Sequence, residues 1–141
     1  MQKLRDKYPK VAFSLREDNH IPAIEADRLG LTSVILNLLE NAVKYTPDSP
    51  KIEVVLDRVE DIVSLAVADN GIGISDKDKR QIFEKFYRVG NEDTRRTKGT
   101  GLGLFIVKEI VKSHEGQISV LDNQPKGTIF RIQLPSSKKA G

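Results

Sequence analysis

Cysteine is absent from this 141-residue chain. Disulfides and thiolate metal sites are thereby excluded, and nothing argues for an oxidising compartment. Tryptophan is absent too, and histidine occurs only twice, too few imidazoles for a histidine-based metal cluster. No apolar run approaches the roughly 18 residues that cross a bilayer, and residues 1–10 lack the shape of a signal peptide. A large excess of either charge is also missing: 23 Lys and Arg oppose 20 Asp and Glu, for a net charge of +3. With mixed signs, no Trp and five Phe at mostly core-type positions, no nucleic-acid-binding face is expected. What remains is an ordinary globular composition, 38% hydrophobic and 30% charged, in one domain long enough to bury a core.

Hydrophobic periodicity orders the elements. Val11 to Leu15 and Pro22 to Ala26 read as short strands around a polar turn at Glu17 to His20. Asp27 is placed as the N-cap of a helix that runs to about Tyr45, where Thr46-Pro47 stops it. Leu31, Val34, Ile35, Leu38, Leu39 and Ala42 form its buried stripe. Lys51 to Arg58 and Ile62 to Asp69 alternate as a hairpin around Val59-Glu60-Asp61. Ser75-Asp76-Lys77-Asp78 opens a short helix with Ile82, Phe83 and Phe86 on one face. Gly90 to Lys98 is polar and aperiodic, and reads as a mobile loop. A further helix from about Gly101 to His114 carries Leu104, Val107, Ile110 and Val111 on its apolar side, with Gly116 as its stop. Gln117 to Leu121 and Thr128 to Leu134 make a last hairpin. Hairpins outnumber strand–helix–strand units. The predicted fold is therefore α+β, a two-layer sandwich with a mixed, mainly antiparallel sheet of about five strands and about three helices on one face.

Three stretches carry residues suited to chemistry. On the first helix, Asn41 lies about 40° and Lys44 about 340° round from Asn37. Two amides and an ammonium thus share a face beside the core. Amide oxygens suit a hard cation such as Mg²⁺, which commonly bridges protein to phosphates; a solvated polar face is the plainer alternative. Asn is a poor helix former, which tilts the pair towards a purpose. Next, Asp69 is in phase with Val63, Leu65 and Val67. It is either solvated at the strand end or held in a pocket with a partner, such as the exocyclic amine of adenine. Asp69-Asn70-Gly71 can simply turn the chain, but Gly73 and the flanking Ile72 and Ile74 suggest close backbone approach beside an apolar wall. Last, Gly99-Thr100-Gly101-Leu102-Gly103-Leu104 leads into a helix, where N–H groups favour phosphate. Its spacing is neither the dinucleotide fingerprint nor the phosphate loop with its Lys-[Ser/Thr] ending. The loop before it carries Arg88, Arg95, Arg96 and Lys98, and reads as a basic lid over a polyphosphate or as a solvated loop. His20 and His114 read as structural or solvated, His114 facing the last carbonyls of its helix.

In this order the parts resemble the catalytic, ATP-binding domain of bacterial sensor histidine kinases, in the superfamily of gyrase, the ninety-kilodalton heat-shock chaperone and the mismatch-repair ATPase. The resemblance covers about Val11 to Pro135. Asn37-Leu38-Leu39-Glu40-Asn41-Ala42-Val43-Lys44-Tyr45-Thr46-Pro47 resembles the asparagine box, and Asp69 to Ile74 the first glycine box. Ile82-Phe83-Glu84-Lys85-Phe86-Tyr87-Arg88 resembles the phenylalanine box, Gly99 to Leu104 the second glycine box, and Gly127-Thr128 with Phe130 the last and weakest. The resemblance implies a Bergerat-type fold and a set of roles. Asn41 would ligate Mg²⁺, Asn37 would help position phosphates, Lys44 would contact phosphate and Tyr45 would line the nucleotide pocket. Asp69 would accept from the adenine amine, with Gly71, Gly73 and Ile74 around the base, and Thr128 would contact it through water. Arg88 would approach the γ-phosphate. Lys98, Gly99, Thr100, Gly101, Leu102, Gly103 and Leu104 would form the lid hinge and phosphate contacts.

One position discriminates within the superfamily. Its gyrase-like members carry a water-activating Glu four residues before the metal-binding Asn. Here that residue is Asn37, and an amide cannot act as a general base. Phosphoryl transfer to a protein is thus expected over plain hydrolysis, with Asn37, Lys44 and Arg88 as the catalytic set. Family members often read His-Gly-Gly where this chain reads His114-Glu115-Gly116, a change at a helix end remote from the site. Neither His has the context of the family's phosphoacceptor motif. The expectation is accordingly a donor domain with ATP and Mg²⁺ as cofactors, residues 1–10 being a linker remnant, 11–135 the catalytic domain and 136–141 a polar tail. Its expected partners are the helical dimerisation and phosphoacceptor domain of the same kinase and a response regulator receiver domain, with no direct membrane contact and the isolated domain monomeric. Its expected location is the cytoplasmic part of a membrane-anchored sensor kinase. An ATP-hydrolysing superfamily member, or a nucleotide-sensing or docking module without transfer, are the alternatives.

Overall fold

The structure, a computed structural model, describes residues 6, 8–17, 27–46, 51–87 and 102–136. The elements with described bounds are β1 (Ala12–Glu17), α1 (Arg28–Lys44), β2 (Lys51–Val59), β3 (Ile62–Asp69), α2 (Asp76–Gln81), α3 (Gly103–Ser113), β4 (Gln117–Asp122) and β5 (Thr128–Pro135).

Alternation builds the sheet. Val63, Leu65, Val67 and Asp69 are buried along β3, as are Phe130, Ile132 and Leu134 along β5. The register sets these side chains shoulder to shoulder: Val54 opposite Val67, Val67 opposite Phe130, Leu65 opposite Ile132. Residues directly opposite across a ladder share a face, so one face of the sheet is continuously apolar. The strand order is β1-β2-β3-β5-β4. β1 pairs with β2 in parallel and every other pair is antiparallel, the mixed five-stranded sheet that the alternation predicts.

The helices bury their stripes on that face. α1 contributes Val34, Leu38, Leu39 and Ala42, and α3 contributes Val107 and Val111. Leu31, Ile35, Leu104 and Ile110 pack at the margin. The caps are as read from the sequence: the Asp27 carboxylate accepts from Leu29 N–H at 3.2 Å, and Ser75 Oγ accepts from Asp78 N–H at 3.1 Å. Lys79 ties α2 to the end of β4 by reaching Asp122 Oδ1 at 2.6 Å.

Two expectations are corrected and a third is refined. β1 starts at Ala12 and continues through Glu17, which polarity had assigned to a turn. All six residues are in register with Lys51–Leu56 of β2, and that ladder keeps Arg16 and Glu17 extended whatever their polarity. The strand expected at Pro22 to Ala26, with His20 before it, lies outside the described residues. Second, Phe86 does not share a buried face with Ile82 and Phe83. α2 ends at Gln81, so the helical phase is lost; Phe83 packs edge-on to Phe130 at 6.3 Å, while Phe86 is 62% exposed with φ 66°. Third, Gly116 does stand at the stop of α3, its N–H donating to Val111 O at 2.9 Å, but the left-handed residue there is Glu115, with φ 59°. A Cβ at Gly116 would lie 2.5 Å from Leu134 Cδ2 and 2.6 Å from Gln133 O. That glycine is required by close approach to β5. The folded unit also reaches Ser136, whose N–H donates to Asp61 O at 2.6 Å.

Candidate functional site

Asp69 is the last residue of β3 and keeps the strand's inward phase, so its carboxylate is carried into the core at 1% exposure. Its Oδ1 accepts from Gly71 N–H at 2.9 Å and from Thr128 N–H, at the start of β5, at 3.1 Å. Its Oδ2 is buried without a partner. Burial pushes the carboxyl above its ordinary 3.8, while the Gly71 and Thr128 amides pull the other way. The β4–β5 loop closes on the same corner. Asn123 Nδ2 donates to Asp69 O at 2.8 Å. A Cβ at Gly127, which has φ 111°, would sit 2.0 Å from that same oxygen. Asn123 was not singled out from the sequence. It reads there as one more polar residue in a hairpin loop, and only the meeting of two strand ends gives it a task.

The segment after Asp69 folds onto the C-terminal end of α1. Ile72 N–H donates to Tyr45 O at 3.1 Å. A Cβ at Gly71 would lie 2.1 Å from that oxygen and 2.7 Å from Thr46 Oγ1, so no larger residue fits without moving backbone. Thr46 is itself held by its hydroxyl donating to Ala42 O at 2.8 Å. Gly73 takes φ 79°. Tyr45 and Ile74 are buried, Ile74 within the core cluster.

On α1, Asn37 is held locally. Its Nδ2 donates to Ser33 O at 2.8 Å and lies 3.3 Å from Ser33 Oγ. Its Oδ1 stands 2.9 Å from where a Cβ of Gly103 would be, so the amide abuts the first turn of α3. Asn41, one turn on, has its Nδ2 buried and without a partner; a 180° rotation of the amide puts its oxygen there instead. Lys44 Nζ stands 5.6 Å from the centre of the Tyr45 ring. Leu102 and Leu104 are half-buried at the start of α3. Arg88, Lys98, Gly99, Thr100 and Gly101, together with the rest of the basic loop, lie outside the described residues.

Among the described residues, the buried side-chain polar atoms lacking any partner are Asn41 Nδ2, Asp69 Oδ2 and Thr128 Oγ1. Each costs about 1–3 kcal/mol if left so. All three belong to the residues that sequence reasoning had selected for a nucleotide, Asp69 and Thr128 at one corner of the sheet and Asn41 on the neighbouring helix. Their chemistry fits the group: acceptors suit an adenine amine, and an amide suits a hard cation at phosphates. A carboxylate at a strand end, glycines against it and a helix with inward amides define an ATP-binding α/β sandwich.

Comparison with known proteins agrees. Residues 26–138 match the family model of histidine kinase-, DNA gyrase B- and HSP90-like ATPases, and the chain belongs to that family. The sensor protein CiaH of Streptococcus pneumoniae is 46% identical over 120 residues, covering 82% of this chain and 27% of CiaH. The chain thus spans about a quarter of that relative's length. A mycobacterial sensor histidine kinase, MprB, superposes with a TM-score of 0.82 at 31% identity, covering 96% of this chain and 88% of that one. The histidine kinase ThkA, solved with the response regulator TrrA, superposes with a TM-score of 0.72 at 26% identity, covering 96% and 37%. Within that family, the relatives and solved structures it matches are sensor proteins and histidine kinases, and the chain is similar to the ATP-binding part of such kinases.

Proposed function

We propose that this domain binds ATP with Mg²⁺ and presents the γ-phosphoryl group to a histidine on a separate helical phosphoacceptor domain of the same protein, from which a response regulator aspartate receives it. The observation that carries the reading is the unpartnered Asp69 Oδ2 and Thr128 Oγ1 at one corner, with the unpartnered amide of Asn41 on the adjoining helix. Asp69 Oδ2 accepts from the adenine amine, and Thr128 Oγ1 completes the base contact through water. Gly71, Gly73 and Ile74 shape that wall. Asn41 holds Mg²⁺, which supplies charge neutralisation at the phosphates. Asn37, Lys44 and Arg88 orient and neutralise the transferring group, with Lys98, the second glycine segment and Leu104 around it. Positioning and charge are the whole of the catalysis, with no covalent intermediate on this domain. The names of the relatives support the setting: a sensor protein, a sensor kinase, and a kinase solved with its response regulator. The same reading makes this a cytoplasmic domain of a membrane-anchored sensor kinase and a monomer when isolated. No helix among the described residues is long and apolar enough to cross a membrane.

The test is calorimetry followed by transfer. Asn41→Asp and Asp69→Ala are each expected to abolish useful binding of a non-hydrolysable ATP analogue, and wild type to phosphorylate a supplied phosphoacceptor hairpin. Unchanged affinity in both variants would overturn the site assignment. Binding without transfer would favour a nucleotide-sensing module.

A further inference from the structure

One polar tie between α1 and α3 has no part in the contacts above. The main-chain N–H of Asp27 donates to His114 Nε2 at 2.9 Å, across 87 residues of sequence. His114 Nδ1 lies 2.8 Å from Ile110 O. Because Nε2 accepts, the ring proton is on Nδ1, which donates to that carbonyl. Ser113 Oγ adds a contact at 3.3 Å to Nδ1. His114 is the C-cap of α3 and Asp27 the N-cap of α1. The imidazole therefore joins the start of one helix to the end of the other.

Two more contacts lie along the same pair. Ile110 Cγ2 stands 3.3 Å from where a Gly30 Cβ would be, and Asn37 Oδ1 stands 2.9 Å from that of Gly103. Positions 27, 30 and 37 thus meet 114, 110 and 103. The partner numbers fall as the others rise, at nearly the same rate, so the helices run antiparallel in a single register. Val34 and Val107, both fully buried, lie between the outer contacts. Close-packed helices shift as rigid bodies rather than deform. A tie at one end consequently governs the separation at the other, where Asn37 meets the first turn of α3.

We propose that His114 is a positioning residue for the phosphate end of the nucleotide site. By holding the end of α3 against the start of α1, it sets how closely the first turn of α3 stands to Asn37 and, one turn on, Asn41. The proposal rests on the nucleotide reading. The base corner is outside its reach, because Asp69 and Thr128 are carried by β3 and β5.

Three substitutions separate the roles of the ring. His114→Gln keeps an acceptor at the position of Nε2. His114→Asn reaches only to that of Nδ1, and His114→Phe fills the space with neither. Calorimetry on each compares the β,γ-imido analogue of ATP, with Mg²⁺, against adenosine. The Phe and Asn variants are expected to bind the analogue roughly tenfold more weakly with adenosine affinity unchanged, and the Gln variant to recover most of the loss. In wild type, a ¹⁵N–¹⁵N coupling through the hydrogen bond from Asp27 N to His114 Nε2 is expected. Equal weakening of both ligands, no weakening in the Phe variant, no recovery with Gln, or a missing coupling would each overturn the proposal. Wild type that binds neither ligand would bring down the nucleotide reading and this proposal together. Wild type and all variants binding alike would remove this proposal alone.

Discussion

Asp69 holds its proton more tightly in the folded domain than in the unfolded chain, because burial outweighs the help of two amide donors. The sign of its linkage follows. The folded state binds more protons than the unfolded state from about pH 3.8 up to the folded midpoint. The residue's contribution to stability therefore falls as pH rises through that window and stays lost at neutrality. Urea unfolding of wild type and Asp69→Asn across this range should show a difference curve that declines with rising pH, and the ¹³C carboxyl titration of Asp69 should have its midpoint above 3.8. Such a cost makes sense for a group kept for a ligand. Glu115 carries a different cost. It occupies a left-handed conformation, φ 59°, disfavoured for a residue with a Cβ. Glu115→Gly is expected to stabilise by about 0.5–1 kcal/mol after the entropy of glycine is counted, read as a Tm higher by roughly 2–4 °C.

At the scale of elements, glycine contacts decide how the layers meet. Gly71 lets the segment after β3 lie on the backbone of Tyr45 at the end of α1. Gly71→Ala should cost about 1–3 kcal/mol by overpacking, measured by urea unfolding, and should weaken analogue binding because Asp69 accepts from the Gly71 N–H. Phe86 shows the opposite relation of residue to element. Its spacing from Ile82 and Phe83 suits a helix face, yet the helix stops at Gln81 and the ring is exposed. Six residues of helix end too soon for i, i+3 and i+4 spacing to mean burial.

For the whole molecule, the fold brings together residues that lie far apart along the chain: α1, the end of β3, the start of α3 and the start of β5. Asn37 bears on what that assembly does. Its amide donates to Ser33 O and abuts Gly103, and it has no basic atom to take a proton from water. Steady-state hydrolysis by the isolated domain should accordingly be slow beside transfer to a supplied phosphoacceptor hairpin. Hydrolysis that matches or exceeds transfer would point to the ATPase alternative.

Period-2 alternation in β2, β3 and β5, the stripe of α1 and the caps at Asp27 and Ser75 were legible in the residues alone, because local sterics and burial set them. Asp69 stands out in the residues as a carboxylate in phase with an apolar strand face, and Asn41 and Thr128 as members of recognisable motifs. The parallel pairing of β1 was not legible, since a ladder with β2 holds Arg16 and Glu17 extended against their polarity. Neither was the work of Gly116, Asn123 and His114. A glycine needed for an approach to β5, an amide on a strand-end carbonyl and an imidazole between two helix caps are defined by partners 17 to 87 residues away. Periodicity reports which face of an element is buried; only the packed tertiary structure decides which atoms meet there.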